Sequence, residues 1–251
     1  MKEEKILING LEINYKIIGE GRPFLIFHGW NSNSNRWLAV AEILAKKGLQ
    51  IIIPDLPGFG KSSTPPLDWD PEEYLNFAKQ FIDRLNLENF YLLGHSFGGS
   101  VAIKYSIDFP DKVQKLFLIS AACFRKRTPG KFVLYIFSKF CHIFSFLPFY
   151  ENFRKGFYKY IVRRSDYPYS KGAMKKIYLK IIKRDLSDIL PAVATPTVII
   201  WGEKDKITPL NEGVEINRKI KNSKIQIIEG VNHSPNLIVP EKLAQTIGKF
   251  L

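Results

Sequence analysis

The sequence is poor in the residues that would bind metals or make cross-links. It holds two cysteines, Cys123 and Cys141, too few for a disulfide framework. They lack C-x-x-C spacing, which argues against a dithiol redox centre or a zinc knuckle. Only four histidines occur in 251 residues: His28, His95, His142 and His233. No uncharged apolar run reaches the ~18 residues that a membrane-crossing helix needs. The start, Met1-Lys2-Glu3-Glu4-Lys5, carries two acids and has no apolar signal-peptide core behind it. The expectation from these features is a cytoplasmic protein with no metal and no cofactor. There is no internal repeat and no low-complexity tract. Hydrophobic residues make up 45% and charged residues 24%, which excludes wholesale disorder.

Charge is abundant, and it is unevenly placed. The net charge is +13, which by itself would raise nucleic acid or an anionic surface as partner. Residues 124–190 hold 16 basic and 4 acidic side chains, so nearly the whole excess sits in one segment. No nucleic-acid-binding motif accompanies it, and the expectation is no nucleic acid.

Periodicity predicts strands alternating with helices. Ile6, Ile8 and then Leu11, Ile13, Tyr15, Ile17 alternate around Asn9-Gly10, a hairpin signal. Phe24–Phe27 and Ile51–Ile53 are continuous apolar runs, as in strands buried on both faces. Helical spacing covers residues 36–47, stopped by Gly48. A second helix covers 71–86, with Asp70 as N-cap and Pro71 at its first position. Strands at 90–93, 113–119, 197–201 and 225–228 alternate with helices at 97–108, 210–220 and 240–250. The reading is an α/β fold with a mostly parallel central sheet flanked by helices. Ligands on such sheets bind outside the carboxyl ends of the strands. Residues 124–190 interrupt the rhythm after the sixth strand. They are too long for a loop, and 14 of the chain's 34 aromatics fall between 132 and 169. They are expected to form a helical cap, with 1–123 and 191–251 as the core domain.

The chemistry concentrates at strand ends. Gly94-His95-Ser96-Phe97-Gly98 fits G-x-S-x-G, between a predicted strand and a predicted helix, where a serine would be projected into a cleft. The bland alternative is a glycine-rich turn. A serine nucleophile needs a base, and the base needs an orienting acid. His233 follows the last strand and so shares an edge with Ser96. Asp205, after the strand 197–201, is the candidate acid, with Glu203 its local rival. Gly58-x-Gly60-Lys61-Ser62 hints at a phosphate loop, but the full spacing fails because position 55 is Asp.

The order Ser96, Asp205, His233 resembles that of the α/β-hydrolase superfamily. His28-Gly29-Trp30 is similar to that family's oxyanion loop, and Pro54–Ser62 to its structural D-x-P-G-x-G-x-S turn. The resemblance implies a capped serine hydrolase. Ser96, Asp205 and His233 would be the triad, and the backbone N–H groups of Trp30 and Phe97 the oxyanion hole. His28 would be a brace for the loop. Acyl transfer to Ser96 follows from it, on a small-molecule ester with an apolar acyl or aromatic group. The same resemblance leaves open a C–C hydrolase of dienones or β-diketones, a membrane-associated lipase, perhydrolysis as a side activity, and a non-catalytic ligand-binding member. Candidate pocket residues are His28, His95, Phe137, Phe140 and His142. The aromatic run Phe132, Tyr135, Phe137, Phe140, Phe144, Phe146 and Phe149 reads as packing within the cap, as pocket lining, or, with the basic clusters at 125–127, 154–155, 163–164 and 175–176, as a peripheral contact with an anionic membrane.

Overall fold

In the computed structural model the described residues are 1–67, 69–125 and 172–251. The chain opens with the hairpin of β1 (Lys2–Ile8) and β2 (Leu11–Ile18). Asn9 and Gly10 turn it with φ of 49° and 77°, the left-handed pair that a two-residue hairpin requires. Six further strands follow: β3 (Arg22–Phe27), β4 (Leu49–Pro54), β5 (Phe90–His95), β6 (Val113–Ile119), β7 (Thr197–Gly202) and β8 (Ser223–Ile228). They form one eight-stranded sheet in the order β1-β2-β4-β3-β5-β6-β7-β8. β2 pairs antiparallel with β1 and β4; the other pairs are parallel.

Apolar residues at successive strand positions feed two cores. Phe24, Ile26, Ile51, Ile53, Leu93, Phe117 and Ile200 meet α1 (Leu38–Ala45) and α7 (Pro240–Gly248) on one face. Leu25, Phe27, Leu92, Leu118, Ile199 and Trp201 meet α2 (Pro71–Arg84), α3 (Phe97–Asp108) and α5 (Leu210–Lys219) on the other. A strand packed on both faces needs no polar positions, which is why these runs are uninterrupted in the sequence. The fold is the expected α/β one.

The differences are local. Ser34–Trp37 is a 3₁₀ turn, started by the Asn33 side chain on the Asn35 N–H, so α1 begins two residues later than its periodicity predicts. α2 ends at Arg84, with Asn86 at φ 49°. Asp70 caps α2 as expected, accepting from Glu72 and Glu73 N–H at 2.7 and 3.3 Å. A four-residue helix, α6 (Pro235–Ile238), was not expected from periodicity; four residues are too few to show one.

The order reverses between β3, which leads outward to β4, and β5, which leads the other way. Loops leaving the carboxyl ends of these neighbours therefore diverge and leave a crevice. In the segment between β6 and β7, α4 (Gly172–Ile181) packs over that crevice. Its Tyr178 ring lies 5.4 Å from the ring of Trp30. Its Met174 side chain packs on Gly58, whose φ of 89° is the left-handed conformation that favours glycine. The expectations for Phe132, Tyr135, Phe137, Phe140, Cys141, His142, Phe144, Phe146 and Phe149, and for the basic clusters between 126 and 164, lie outside the described residues. Among the described residues no helix is long and apolar enough to cross a membrane.

Candidate active site

Ser96 occupies the turn from β5 into α3 with φ 50° and ψ −116°. A left-handed φ at a non-glycine residue costs about 1–3 kcal/mol and is held in place by its surroundings. Here Ser96 N–H donates to Ile119 O at 3.0 Å, and Ser96 O accepts from Gly99 and Ala122 N–H, both at 2.9 Å. The glycines are steric necessities. A Cβ on Gly94 would lie 2.5 Å from Gly98 O, and one on Gly98 would lie 2.2 Å from Phe27 O. The strand-to-helix turn is thus wedged between β3 and β6, as G-x-S-x-G requires.

Asp205 and His233 are brought together by parallel pairing of β7 and β8, whose carboxyl ends carry them. His233 Nδ1 donates to Asp205 Oδ2 at 2.8 Å. Asp205 Oδ1 accepts from the N–H of Ile207 and Thr208 at 2.8 and 3.0 Å, and Oδ2 also accepts from Thr208 Oγ1 at 2.8 Å. Burial pushes this carboxyl up, but hydrogen bonds from His233 and Thr208 outweigh it, and its pKa lies below the usual aspartate value. Glu203, the rival acid, accepts instead from Gly230 N–H at 2.8 Å. No hydrogen bond joins Ser96 Oγ to His233 among the described residues; such bonds often tighten only when substrate binds.

The oxyanion candidates lie beside the serine. Phe97 opens α3, so its N–H stands at the positive end of the helix. A Cβ on Gly29 would be 3.2 Å from Ser96 Cβ, so the loop from β3 passes directly over the serine. Trp30 and Phe97 pack edge to face, with ring centroids 5.4 Å apart.

His28 and His95, two of the candidate pocket residues, are both buried. His28 Nδ1 donates to Gly29 O at 2.8 Å, and its Nε2 accepts from Leu56 N–H at 2.9 Å. Both ring nitrogens are engaged in bracing the loop, and burial lowers its pKa to about 4. His95 Nε2 donates to His233 O at 2.8 Å, so it ties the turn to the histidine loop from below. Burial, and then the proximity of His233, lowers its pKa to about 3. Neither lines the cavity, because each ring points back into the fold.

The D-x-P-G-x-G-x-S segment is structural. Asp55 Oδ1 accepts from Ser34 N–H at 2.6 Å, and Oδ2 accepts from Asn14 Nδ2 and Lys61 N–H, both at 3.0 Å. Gly60, at φ 56°, lies so close that a Cβ would sit 2.3 Å from that carboxylate. An acid occupies the space that a phosphate loop would leave for its ligand.

A cavity of about 170 Å³ adjoins Ser96. Trp30, Phe97, Val101, Tyr178 and Leu186 give it an apolar wall, and Thr208, Lys104 and Arg184 supply polar groups. Thr208, Lys104, Tyr178 and Arg184 escaped sequence reading. Thr208 stands three residues after Asp205, a spacing that suits a local turn bond and could have been noticed. Lys104 follows Ser96 by two helical turns, a legible spacing. Tyr178 and Arg184 carry no signal, because tertiary packing alone brings them to Ser96. Among the described residues no group of three metal-binding side chains occurs.

The family described as the alpha/beta hydrolase fold matches residues 22–140. The AB hydrolase superfamily protein YisY of Bacillus subtilis is 30% identical, over 93% of this chain and 92% of that protein. A pimeloyl-[acyl-carrier protein] methyl ester esterase of Legionella pneumophila is 28% identical over 96% of this chain and 100% of its own length. The solved esterase EaEST of Exiguobacterium antarcticum superposes with a TM-score of 0.77 at 24% identity, over 97% of this chain and 96% of that one. This last likeness is one of fold.

Proposed function

The chain belongs to the α/β-hydrolase superfamily, and we propose that within it this protein is a carboxylic ester hydrolase working through an acyl-enzyme on Ser96. The observation that carries the reading is the Asp205–His233 bond of 2.8 Å, flanked by Thr208, which lines the same cavity as Ser96. In this reading Asp205 holds His233 with its proton on Nδ1, so Nε2 is free to accept the Ser96 proton. The Ser96 oxygen attacks the ester carbonyl. The N–H groups of Trp30 and Phe97 hold the oxyanion. His233 passes its proton to the leaving alcohol, and the same groups then activate water to release the acid. Residues 124–190 would act as a cap over a core of 1–123 and 191–251. The apolar wall favours an apolar acyl or aromatic group next to the carbonyl. The Legionella relative, named as a methyl ester esterase, supports the ester class.

The test is a chain-length series of p-nitrophenyl esters, with wild type and Ser96→Ala side by side. Ser96-dependent turnover that peaks at short acyl chains supports the esterase. A peak at long, aggregated substrates turns the reading to a lipase. No Ser96-dependent turnover refutes ester hydrolysis, and dienone C–C substrates come next.

A further inference from the structure

The cavity is electrically uneven. Ser96, Ser100 and Lys104 all line it, at intervals of four residues on one face of α3. Eight residues of helix put Lys104 about 12 Å along the axis from the serine. Arg184, just beyond α4, lines the same cavity. Both cations bond one carboxylate. Lys104 Nζ lies 2.5 Å from Glu72 Oε1, and Arg184 Nη2 bonds the same oxygen. Glu72, on the first turn of α2, is not itself part of the cavity wall, and no carboxylate is found among the described residues that line it. The cluster therefore carries an excess of one positive charge, on two side chains that both line the cavity. The Lys104 side chain is 15% exposed, whereas those of Glu72 and Arg184 are 43% and 46% exposed, so salt screens the outer part of the cluster. Val101, Ile181, Ile182 and Leu186 line the same cavity with apolar surface.

Resting on the ester-hydrolase reading, we propose that the preferred substrates are esters with an anionic group, carboxylate or phosphate, separated from the scissile carbonyl by an apolar chain of several carbons. The chain lies along the apolar wall while its far anion joins Lys104 and Arg184. A charge-assisted bond contributes about twice a neutral one, and it forms only with the charged ester. This makes the site selective by charge, where an apolar pocket alone would sort by size.

The experiment compares initial rates on monomethyl and dimethyl esters of adipate and suberate, and on methyl 6-(phosphonooxy)hexanoate against methyl hexanoate. Wild type is expected to show kcat/KM about tenfold higher for at least one anionic member than for its neutral partner at low salt. The ratio should shrink as sodium chloride is raised. Lys104→Met and Arg184→Met should each lower the ratio, and Glu72→Gln, which frees both cations, should raise it. The phosphate and carboxylate arms say which anion fits. Ser96-dependent turnover with a ratio at or below one, or a ratio that Lys104→Met and Arg184→Met both leave unchanged, overturns the inference and leaves the esterase standing. Loss of turnover in both series would instead refute the esterase. The subsite is then read by calorimetric titration of the Ser96→Ala protein with monomethyl against dimethyl adipate. Tighter binding of the monoanion supports the subsite, and equal binding overturns it.

Discussion

Replacing Asp205 by Asn should abolish most catalysis while leaving the fold intact, and the hydrogen bonds say why. Asp205 accepts four: Ile207 and Thr208 N–H on Oδ1, and Thr208 Oγ1 and His233 Nδ1 on Oδ2. The two backbone donors cannot turn away, so the single oxygen of Asn must face them. Its NH₂ group then faces His233 Nδ1 and Thr208 Oγ1. Thr208 can accept this donor and turn its own proton to Ser120 O, 3.2 Å away. His233 has no such freedom. Its Nδ1 must become an acceptor, which moves the ring proton to Nε2, where it can no longer take the Ser96 proton. The His233 side chain is only 12% exposed, so solvent offers little escape. A tautomer error of this kind costs about 10⁴ in kcat, or about 5 kcal/mol. The assay is kcat on the best p-nitrophenyl ester, with thermal unfolding alongside. Glu203→Gln serves as the internal comparison, because its oxygen can still accept from Gly230 N–H. A loss under tenfold in Asp205→Asn with unchanged Tm, or a larger loss in Glu203→Gln, would refute the reasoning.

Thr208→Val, nearly isosteric, removes the hydroxyl that bonds Asp205 and stands 3.2 Å from His233 Nδ1. It should lower kcat about tenfold and Thr208→Ser should restore it; equal kcat in the Val variant would deny Thr208 a positioning role. The buried histidines predict acid sensitivity. His28 and His95 titrate near 4 and 3 in the fold, against about 6.5 unfolded. Between those values the unfolded chain binds more protons, so stability is full above pH 6.5 and falls as pH drops. Each pH unit well inside the window costs about 1.4 kcal/mol per histidine. Thermal melts from pH 7 to 4.5 should show the decline, and His28→Gln should reduce its slope; a flat Tm over that range counts against it. Gly98→Ala would push a Cβ against the backbone oxygens of Phe27 and His28, at 2.2 and 2.6 Å. Neither oxygen can move aside, and a loss of at least about 1–3 kcal/mol, measured by denaturant unfolding, is expected; a variant as stable as wild type would mean the turn is looser than its geometry implies.

The elements and the kinds of chemistry were legible along the chain. Apolar runs such as Phe24–Phe27 declare strands buried on both faces, Asp70-Pro71 declares a helix start, and Asn9-Gly10 a hairpin, because each depends on neighbours within a few residues. Gly94-x-Ser96-x-Gly98 was legible for the same reason: its constraint is the tight turn itself. Tertiary structure decided what depends on residues distant in the chain. A bracing role for His28 was implied by resemblance, but the partners of the His95 and His28 rings, His233 O and the Gly29 and Leu56 backbone, come from the fold. Two acids stood within reach of the same strand end, and only the fold sent Asp205 to His233 and Glu203 to Gly230. Lys104, Glu72 and Arg184 come from three separate segments, and their cluster exists only because α2, α3 and the chain beyond α4 pack together. Local pattern fixes what a segment can form, whereas a charge cluster or a buried ring is defined by partners that only the folded chain supplies.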